Sequence, residues 1–445
     1  MKKTVTLTEG KPIKLILIFA IPIFLGNLFQ ILYSLIDTKI VGSILGETAL
    51  ASVGSVSTLY NLLVGFFNGL SLGFSVITAR YYGSGDRNAL KKTVAGSILL
   101  GFATATVVIL SVAFFLNPIL RVLNVPKEQL IMSGSYIKVL VWGMFITLAY
   151  NLCANTLRAI GDSVTPLIFL IIASVANVVL DYCFILGLDM GVKGAAYATV
   201  LAQVLSVILC IIRIYKGFPI LHVKKEHFRL NRNQVFMMYQ SGLSMGLMSS
   251  LVNFGTVVLQ TGINQLGTSI IVAHTAARKV FEIWGLPISV LGSAMATYCG
   301  QNYGAHRYDR IREGIKSALF LGLCWCAVVF VMAHTISVYL IGFIASTDSE
   351  EILYWGKTYL ETDMSFQFVC VLIVVLRNSM QGFGDYVTPI VSSFIELVGK
   401  IIFTAVFVKI FAYWGVIWTE PVIWFLMVIP LIVMTLRNPV IREKS

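Results

Sequence analysis

Two carboxylates and an amide lie inside long apolar segments of this chain, where charged groups are rare. Asp37 lies near the end of an apolar run that begins near residue 13, and Asp181 ends the sequence Asn177-Val-Val-Leu-Asp181 within a second run. Asn177 and Asp181 are four residues apart and share one face if that segment is helical. A carboxylate in a bilayer core is costly and normally faces the protein interior, where it has a function. Together these oxygen atoms can take up a proton or coordinate Na⁺.

The depth of these groups within their segments predicts that they meet. Asp37 and Asp181 each precede the expected outer end of their segment by five or six residues, which places both about 8–9 Å inside that end. Thr199 lies at a similar depth on the segment that follows. We therefore predict a cation-coupling site of Asp37, Asn177, Asp181 and Thr199, which are metal ligands only if the ion is Na⁺. Two adjacent carboxylates should titrate as one unit. The alternative is that the acids only hydrogen-bond neighbouring helices.

The first segment carries further polar residues on the face of Asp37. Gln30 and Tyr33 precede Asp37 by seven and four residues and can line a pore wall; with Asn151 of the fourth segment, they are candidate substrate contacts. Pro22 lies fifteen residues before Asp37 and removes a helical hydrogen bond, which makes it a candidate hinge. For the polar residues the alternative is packing, and for Pro22 it is a static kink.

These residues require membrane-spanning helices to position them. The chain has 445 residues, of which 57% are hydrophobic and 12% charged, whereas soluble domains carry about twice that charge. Apolar runs of about 20 residues, enough to cross a bilayer, recur along its whole length. We predict an all-α integral membrane protein with about twelve spans, near 13–40, 48–79, 93–117, 131–156, 165–187, 193–215, 235–263, 268–299, 314–343, 352–378, 388–411 and 414–436.

The sequence is internally duplicated. The phrase Gly161-Asp-Ser-Val-Thr-Pro166 returns as Gly384-Asp-Tyr-Val-Thr-Pro389, about half the chain later, with a numbering offset of 384 − 161 = 223. Tyr82-Gly83 returns as Tyr303-Gly304, with an offset of 304 − 83 = 221. Both copies are hydrophobic throughout, and two related hydrophobic halves are typical of transporters built around a central path.

The repeat predicts two pseudo-symmetric six-helix bundles, in residues 1–217 and 235–445, joined by a cytoplasmic connector at 218–234. An even number of spans in each half means that both halves enter the membrane from the same side. Lys and Arg are concentrated in loops on one side, so the positive-inside rule predicts cytoplasmic termini in a cell membrane. Basic residues confined to short loops argue against nucleic-acid binding.

The acids of the first half have no copies in the second half, which carries charges of its own. Arg278 and Glu282, and likewise Glu396 and Lys400, are four residues apart, the spacing for neutralisation within a helix. We favour structural pairing here over a second ion site, and the role of Glu420 stays open. Two further acids are expected near the outer mouth in contact with water: Glu361 and Asp363.

Several functional classes lack support in the sequence. The seven cysteines form no CxxC pair and lie in or near apolar spans, which indicates core residues rather than a metal site or disulfides. The chain has no HExxH, no GxSxG and no GxxxxGK[ST], so neither an intramembrane enzyme nor a nucleotide-driven pump is expected.

Six segments resemble the multidrug and toxin extrusion (MATE) family of cation-coupled antiporters. The resemblance covers essentially the whole chain, and the segments together are specific for this family. They are Ile36-Asp-Thr-Lys-Ile-Val-Gly42, Leu45-Gly-Glu-Thr-Ala-Leu-Ala51, Leu157-Arg-Ala-Ile-Gly-Asp-Ser-Val-Thr-Pro166, Asn177-Val-Val-Leu-Asp181, Met190-Gly-Val-Lys-Gly-Ala-Ala-Tyr-Ala-Thr199 and Gly300-Gln-Asn-Tyr-Gly304.

The resemblance implies two six-helix bundles around a V-shaped cavity that opens alternately to each side. In the branch similar to the DNA-damage-inducible-F (DinF) type, the first bundle couples H⁺ or Na⁺ through residues that match Asp37, Asn177, Asp181 and Thr199. It implies export of small organic compounds, cationic or aromatic, by a monomer embedded in membrane lipid, with no cofactor beyond the coupling ion. The alternative is a lipid-linked oligosaccharide flippase of the same superfamily, which usually has more spans and a more cationic groove.

Overall fold

The protein is an α-helical membrane protein, as its hydropathy predicts. The computed structural model describes residues 6–123, 125–126 and 128–442, and within these residues there are helices and no strands. In that part of the chain, eleven helices are long and apolar enough to cross a membrane. The predicted cytoplasmic termini depend partly on residues 1–5 and 443–445, which lie outside the described residues.

The observed helices agree with the predicted spans and extend beyond most of them at one or both ends. The first half contains α1 (Pro12–Leu45), α2 (Glu47–Ser84), α3 (Arg87–Phe114), the short α4 (Leu116–Val122), α5 (Leu130–Ala159), α6 (Val164–Tyr182) and α7 (Gly191–Gly217). Two 3₁₀ turns follow, Pro219–Leu221 and Lys225–Phe228. The second half contains α8 (Arg232–Ile263), α9 (Thr268–Gly304), α10 (Tyr308–Ala345), α11 (Glu350–Phe383), α12 (Val387–Ile402), α13 (Val408–Phe411), α14 (Tyr413–Ile417), α15 (Thr419–Arg437) and α16 (Pro439–Arg442).

The predicted eleventh span is interrupted rather than regular. Helix α12 continues through a π turn, Phe403–Phe407, into the short α13. Its counterpart α6 also continues into a π turn, Cys183–Gly187. The eleven long helices and this interrupted segment together give the twelve spans that the sequence predicts.

The chain forms two compact units that are not contiguous in sequence. One contains Ile21–Gly246, and the other contains Leu7–Ala20 together with the chain from Leu247 onward. The contacts thus assign the first part of α1 to the second unit and the first part of α8 to the first unit. The domain ranges 1–217 and 235–445 follow the sequence repeat and stay a prediction about the duplicated halves.

Backbone geometry repeats with the same two offsets as the sequence. Positive φ angles recur at equivalent positions of the two halves, although only some of these positions are glycine. Each pair lies at a turn between helices, so the duplication extends to the turns. The pairs are Gly46 and Gly267, Gly85 and His306, Gly161 and Gly384, and Asp189 and Ala412.

The two repeated Gly-Asp-x-Val-Thr-Pro turns share two hydrogen bonds. Asp162 accepts hydrogen bonds from the backbone N–H of Thr165 at 3.0 Å and from its hydroxyl at 2.6 Å. Asp385 accepts the same two bonds from Thr388, also at 3.0 Å and 2.6 Å. In each turn the aspartate therefore caps the following helix, and the threonine hydroxyl donates to that aspartate.

Within the first unit, α2 lies very close to the first part of α8. A Cβ atom added at Gly69 or Gly73 would collide with the carbonyl groups of Met245 and Ser241, respectively. The Ser241 hydroxyl donates to the Gly73 carbonyl at 2.7 Å. Small residues four apart allow such close helix packing in membranes.

The Gly300–Gly304 motif anchors the N-terminal segment of the second unit. The Leu7 N–H donates to Gln301 Oε1 at 3.1 Å. The Leu7 carbonyl accepts from Asn302 Nδ2 at 3.2 Å and from Arg310 Nη2 at 3.3 Å. Arg310 Nε also donates to Asn302 Oδ1 at 3.0 Å, so the two side chains that hold Leu7 also hold each other. This motif therefore has a structural role.

Candidate functional site

Helices α1 and α6 bring Asp37 and Asp181 together in the first unit. The two helices pack closely: a Cβ at Gly26 of α1 would contact Leu167 and Leu170 of α6 at 3.8 Å. The carboxyl groups of Asp37 and Asp181 lie within hydrogen-bonding reach of each other. Two carboxyl groups this close can hydrogen-bond when one of them carries a proton, and they can also bind a cation between them.

Several side-chain polar atoms of Asp37, Asp181 and Asn177 have no hydrogen-bond partner in the described residues. Asp181 is 0% exposed and Asn177 is also buried. In the described residues no donor group reaches Asp37 Oδ1, either carboxyl oxygen of Asp181, or the side-chain oxygen of Asn177, and the Asn177 amide nitrogen has no acceptor. Buried polar groups normally have hydrogen-bond partners, so these free atoms are available to a proton, an ion or water.

Thr199 lies on α7, which packs against α6. Its hydroxyl donates to the Ala195 carbonyl of its own helix at 3.1 Å. No hydrogen bond joins it to either carboxyl group in the described residues. The structure therefore brings Asp37 and Asp181 together, whereas a role for Thr199 in cation binding stays a prediction.

Three tyrosines lie near the two carboxyl groups, and only Tyr33 was predicted from the sequence. Tyr33, Tyr60 and Tyr136 come from α1, α2 and α5 and lie within electrostatic range of Asp37. The Tyr60 hydroxyl hydrogen-bonds the side chain of Gln203, and Gln203 Oε1 accepts from the Thr147 hydroxyl at 2.6 Å. A tyrosine in an apolar segment resembles any packing aromatic, so no sequence signal marked Tyr60 or Tyr136.

The other predicted residues of this unit lie in different environments. Gln30 is exposed on α1, and Asn151 is half-buried on α5. Tyr33 is half-buried beside the carboxyl pair. Pro22 lies inside the continuous helix α1, two residues after Ala20, where α1 passes from the second unit to the first. Substrate contact and hinge function stay predictions for these positions.

The π turn beside Asp181 is the local irregularity of this site. It begins at Cys183, two residues after Asp181, and π turns often occur at functional sites. Lys400 and Asn177 are separated by 400 − 177 = 223 residues, the same offset as Gly384 and Gly161. They therefore occupy equivalent positions in the two halves. Lys400 also precedes a π turn and is also buried. The same helix position thus holds a buried polar group in both halves.

Lys400 is the centre of an ionic network in the second unit. It is 1% exposed, and its ammonium lies 2.9 Å from Glu396 Oε1 and 3.0 Å from Glu420 Oε1. It also approaches the hydroxyl of Thr256 at 3.5 Å. The predicted Glu396–Lys400 pair is confirmed, and Glu420, whose role the sequence left open, is its second partner.

Two arginines complete the network. Arg278 lies 3.8 Å from both Glu282 and Glu420, so the predicted Arg278–Glu282 pair is also confirmed. Arg377 lies 3.8 Å from Glu396. Each buried glutamate therefore has two basic partners, as burial of charge requires.

Asp363 corrects one expectation. It is 0% exposed, near Tyr359 and Arg278, and not in water at the outer mouth. Glu361, which is half-buried, pairs with Lys357 at 3.6 Å. Residues two apart on a helix point in nearly opposite directions, so the neighbouring acids lie in different environments.

Metal binding by clustered side chains finds no support in the part of the chain that the structure describes. No group of three His, Cys, Asp or Glu side chains there could hold a metal ion, and the cysteines are all free. Na⁺ at the candidate site would therefore depend on two carboxylates and neutral oxygens. Oxygen ligands of this kind suit a hard cation, and their number and the size of the cavity determine which ion is preferred.

Comparison with known proteins gives consistent matches over the chain. A family model described as MatE matches residues 22–183 and 244–406, one segment in each half. "Probable multidrug resistance protein YpnP" of Bacillus subtilis is 27% identical over 91% of this chain and 90% of its own. "Multidrug export protein MepA" of Staphylococcus aureus is 22% identical over 92% and 91%. A solved structure described as an outward-facing multidrug resistance MATE family transporter of the MOP superfamily has a TM-score of 0.91 at 22% identity and covers 100% of both chains.

Proposed function

The chain belongs to the MatE family of multi-pass membrane transporters, and we propose that it is a cation-coupled antiporter that exports organic compounds by alternating access. The family match covers well over half of the chain and includes parts of both halves. Relatives named as multidrug resistance or export proteins, similar over about nine tenths of this chain, support the efflux function.

The observation that carries the proposal is the carboxyl pair of the half-buried Asp37 and the buried Asp181. Its unpaired oxygens would be satisfied by a proton or Na⁺ that enters with the gradient. A ligand shifts a conformational equilibrium only through different affinities for the two states. Cation binding at this pair must therefore favour the state that releases substrate, and α1 is the natural element to respond because it carries Asp37.

The coupling ion is H⁺ or Na⁺. A proton needs only the two carboxyl groups, whereas Na⁺ also needs neutral oxygens, for which Asn177 and Thr199 are the candidates. Pro22 is the proposed bend point of α1, since a proline leaves one backbone carbonyl of the helix without its usual donor.

The proposed substrates are small organic compounds that are cationic or aromatic. Tyr33 lies beside the carboxyl pair and offers an aromatic face that attracts cations. Gln30 and Asn151 are the proposed polar contacts. The lipid-linked oligosaccharide flippase is not favoured, because the relatives are named for multidrug resistance and export.

The proposed setting is the cell membrane, with both termini in the cytoplasm and the protein acting as a monomer. Loop charge supports this orientation: the connector between α7 and α8 carries Lys224, Lys225 and Arg229, and basic loops stay on the cytoplasmic side.

Efflux in proteoliposomes tests the proposal, with a pH gradient and a Na⁺ gradient imposed separately. We expect transport to follow one gradient and to disappear in Asp37→Asn and Asp181→Asn. Asp189→Asn is the matched control, because Asp189 is exposed and its left-handed backbone is one that asparagine also adopts. Transport that ignores both gradients, or survives both variants, would refute coupling at this pair.

A further inference from the structure

A polar pocket in the first unit is lined by none of the residues of the carboxyl site. Its volume is about 930 Å³. It is formed where α3 passes into α4, together with the N-terminal parts of α5 and α7. Six of its lining residues are polar or aromatic: Asn117, Ser135, Lys138, Trp142, Lys193 and Tyr197.

The two lysines have the same arrangement on two helices. Lys138 lies one turn before Trp142 on α5, and Lys193 lies one turn before Tyr197 on α7. Both lysines are exposed, and neither has an ion-pair partner in the part of the chain that the structure describes. Because both lysines line one pocket, their positive charges repel each other, most strongly where the dielectric constant is low. An anion between them would turn this repulsion into attraction.

The pocket lies near the starts of two membrane-spanning helices, α5 and α7, where the headgroup region of a bilayer is expected. Lys193 is two residues from the start of α7 and Lys138 is eight from the start of α5, about 3 Å and about 12 Å along the helix axes. Next to the pocket, Phe114 is 79% exposed and Ile131 is 85% exposed. In a membrane-spanning protein, large apolar side chains this exposed contact lipid, so the pocket opens to the bilayer.

We propose that this pocket binds an anionic phospholipid. The phosphate lies between the ammonium groups of Lys138 and Lys193, since lysine binds phosphate as a point charge. The glycerol region lies near Asn117 and Ser135. The aromatic rings of Trp142 and Tyr197 flank the first part of an acyl chain, because such rings favour the interface between headgroups and hydrocarbon.

A phospholipid fits better than a soluble anion because the remaining walls are apolar. Ala113, Leu116, Val139, Ile146 and Val200 line the same pocket. An inorganic anion would leave this surface uncovered, whereas an acyl chain covers it. Charge selects an anionic headgroup over a zwitterionic one, whose own ammonium would compete with the lysines.

Native mass spectrometry of the purified full-length protein tests the proposal with phosphatidylglycerol as the probe. We expect the double variant Lys138→Gln/Lys193→Gln to lose one tightly bound phosphatidylglycerol, with an apparent affinity at least about tenfold weaker. Lys39→Gln, an exposed lysine outside the pocket on α1, should bind as the unchanged protein does. Trp142→Ala should weaken phosphatidylglycerol binding without changing the preference for it over phosphatidylcholine.

Three results would overturn the proposal. The double variant could retain the bound lipid, or phosphatidylcholine could bind as tightly as phosphatidylglycerol. Water-soluble glycerol phosphate could also bind as tightly as the lipid, which would identify a site for soluble anions. Each readout is independent of transport, so failure here is distinguishable from failure of the antiport proposal.

Discussion

Replacement of Lys400 by methionine should destabilise the protein by about 3–5 kcal/mol, because it breaks two buried ion pairs at once. Methionine retains most of the apolar stem and removes the ammonium that lies 2.9 Å from Glu396 and 3.0 Å from Glu420. The glutamates would keep only Arg377 and Arg278, each at 3.8 Å. The cost comes mainly from carboxylate charge left buried with weaker compensation.

A second substitution should recover much of this loss. In Lys400→Met/Glu420→Gln, Arg278 can still pair with Glu282 at 3.8 Å, and Glu396 can still pair with Arg377. The remaining charges are then matched. Lys400→Met/Glu396→Gln should recover less, because it leaves Arg377 without a carboxylate partner. The two double variants have the same net charge, so the difference reports local pairing.

The free energy of unfolding is measured by denaturant titration in mild detergent, with tryptophan fluorescence as the signal. Lys357→Met is the control: its pair with Glu361 at 3.6 Å is partly exposed, with side-chain exposures of 42% and 26%. Such a pair contributes about 0–1 kcal/mol. If Lys400→Met costs no more than Lys357→Met, the buried network does not stabilise the fold.

Three other outcomes follow from the packing and turns. Gly73→Leu should sharply reduce the yield of folded protein on size-exclusion chromatography. Gly54→Leu on the same helix is the control and should not reduce it, because nothing lies within 4 Å of a Cβ added at Gly54. Equal yields would contradict the close helix contact. Asp385→Ala should cost about 1 kcal/mol by removing a helix cap, measured by the same denaturant titration, and an unchanged midpoint would argue against the cap. Gln301→Leu should speed hydrogen exchange at the Leu7 amide, which donates to Gln301; unchanged exchange would show that this bond does not protect the amide.

Most of the fold could be predicted from the sequence, because membrane spans depend on local composition. All twelve predicted segments are helical, and the repeat found in two short phrases reappears in φ angles at non-glycine positions such as His306 and Ala412. Less of the polar interior could be predicted. The ion pairs between residues four apart on one helix could be predicted from their spacing. The ion pair of Lys400 with Glu420 joins two different helices, and no periodicity in the sequence predicts it.

Hydropathy and duplication determined that this chain crosses a membrane about twelve times in two related halves, because crossing hydrocarbon requires long apolar helices whatever their neighbours are. The depth of Asp37 and Asp181 was likewise readable along the chain. Only the tertiary structure decided which side chains meet, because helix rotation and crossing depend on packing between distant segments. That packing brings the two carboxyl groups together within electrostatic range of Tyr60 and Tyr136, buries Asp363, and places Lys138 and Lys193 in one pocket.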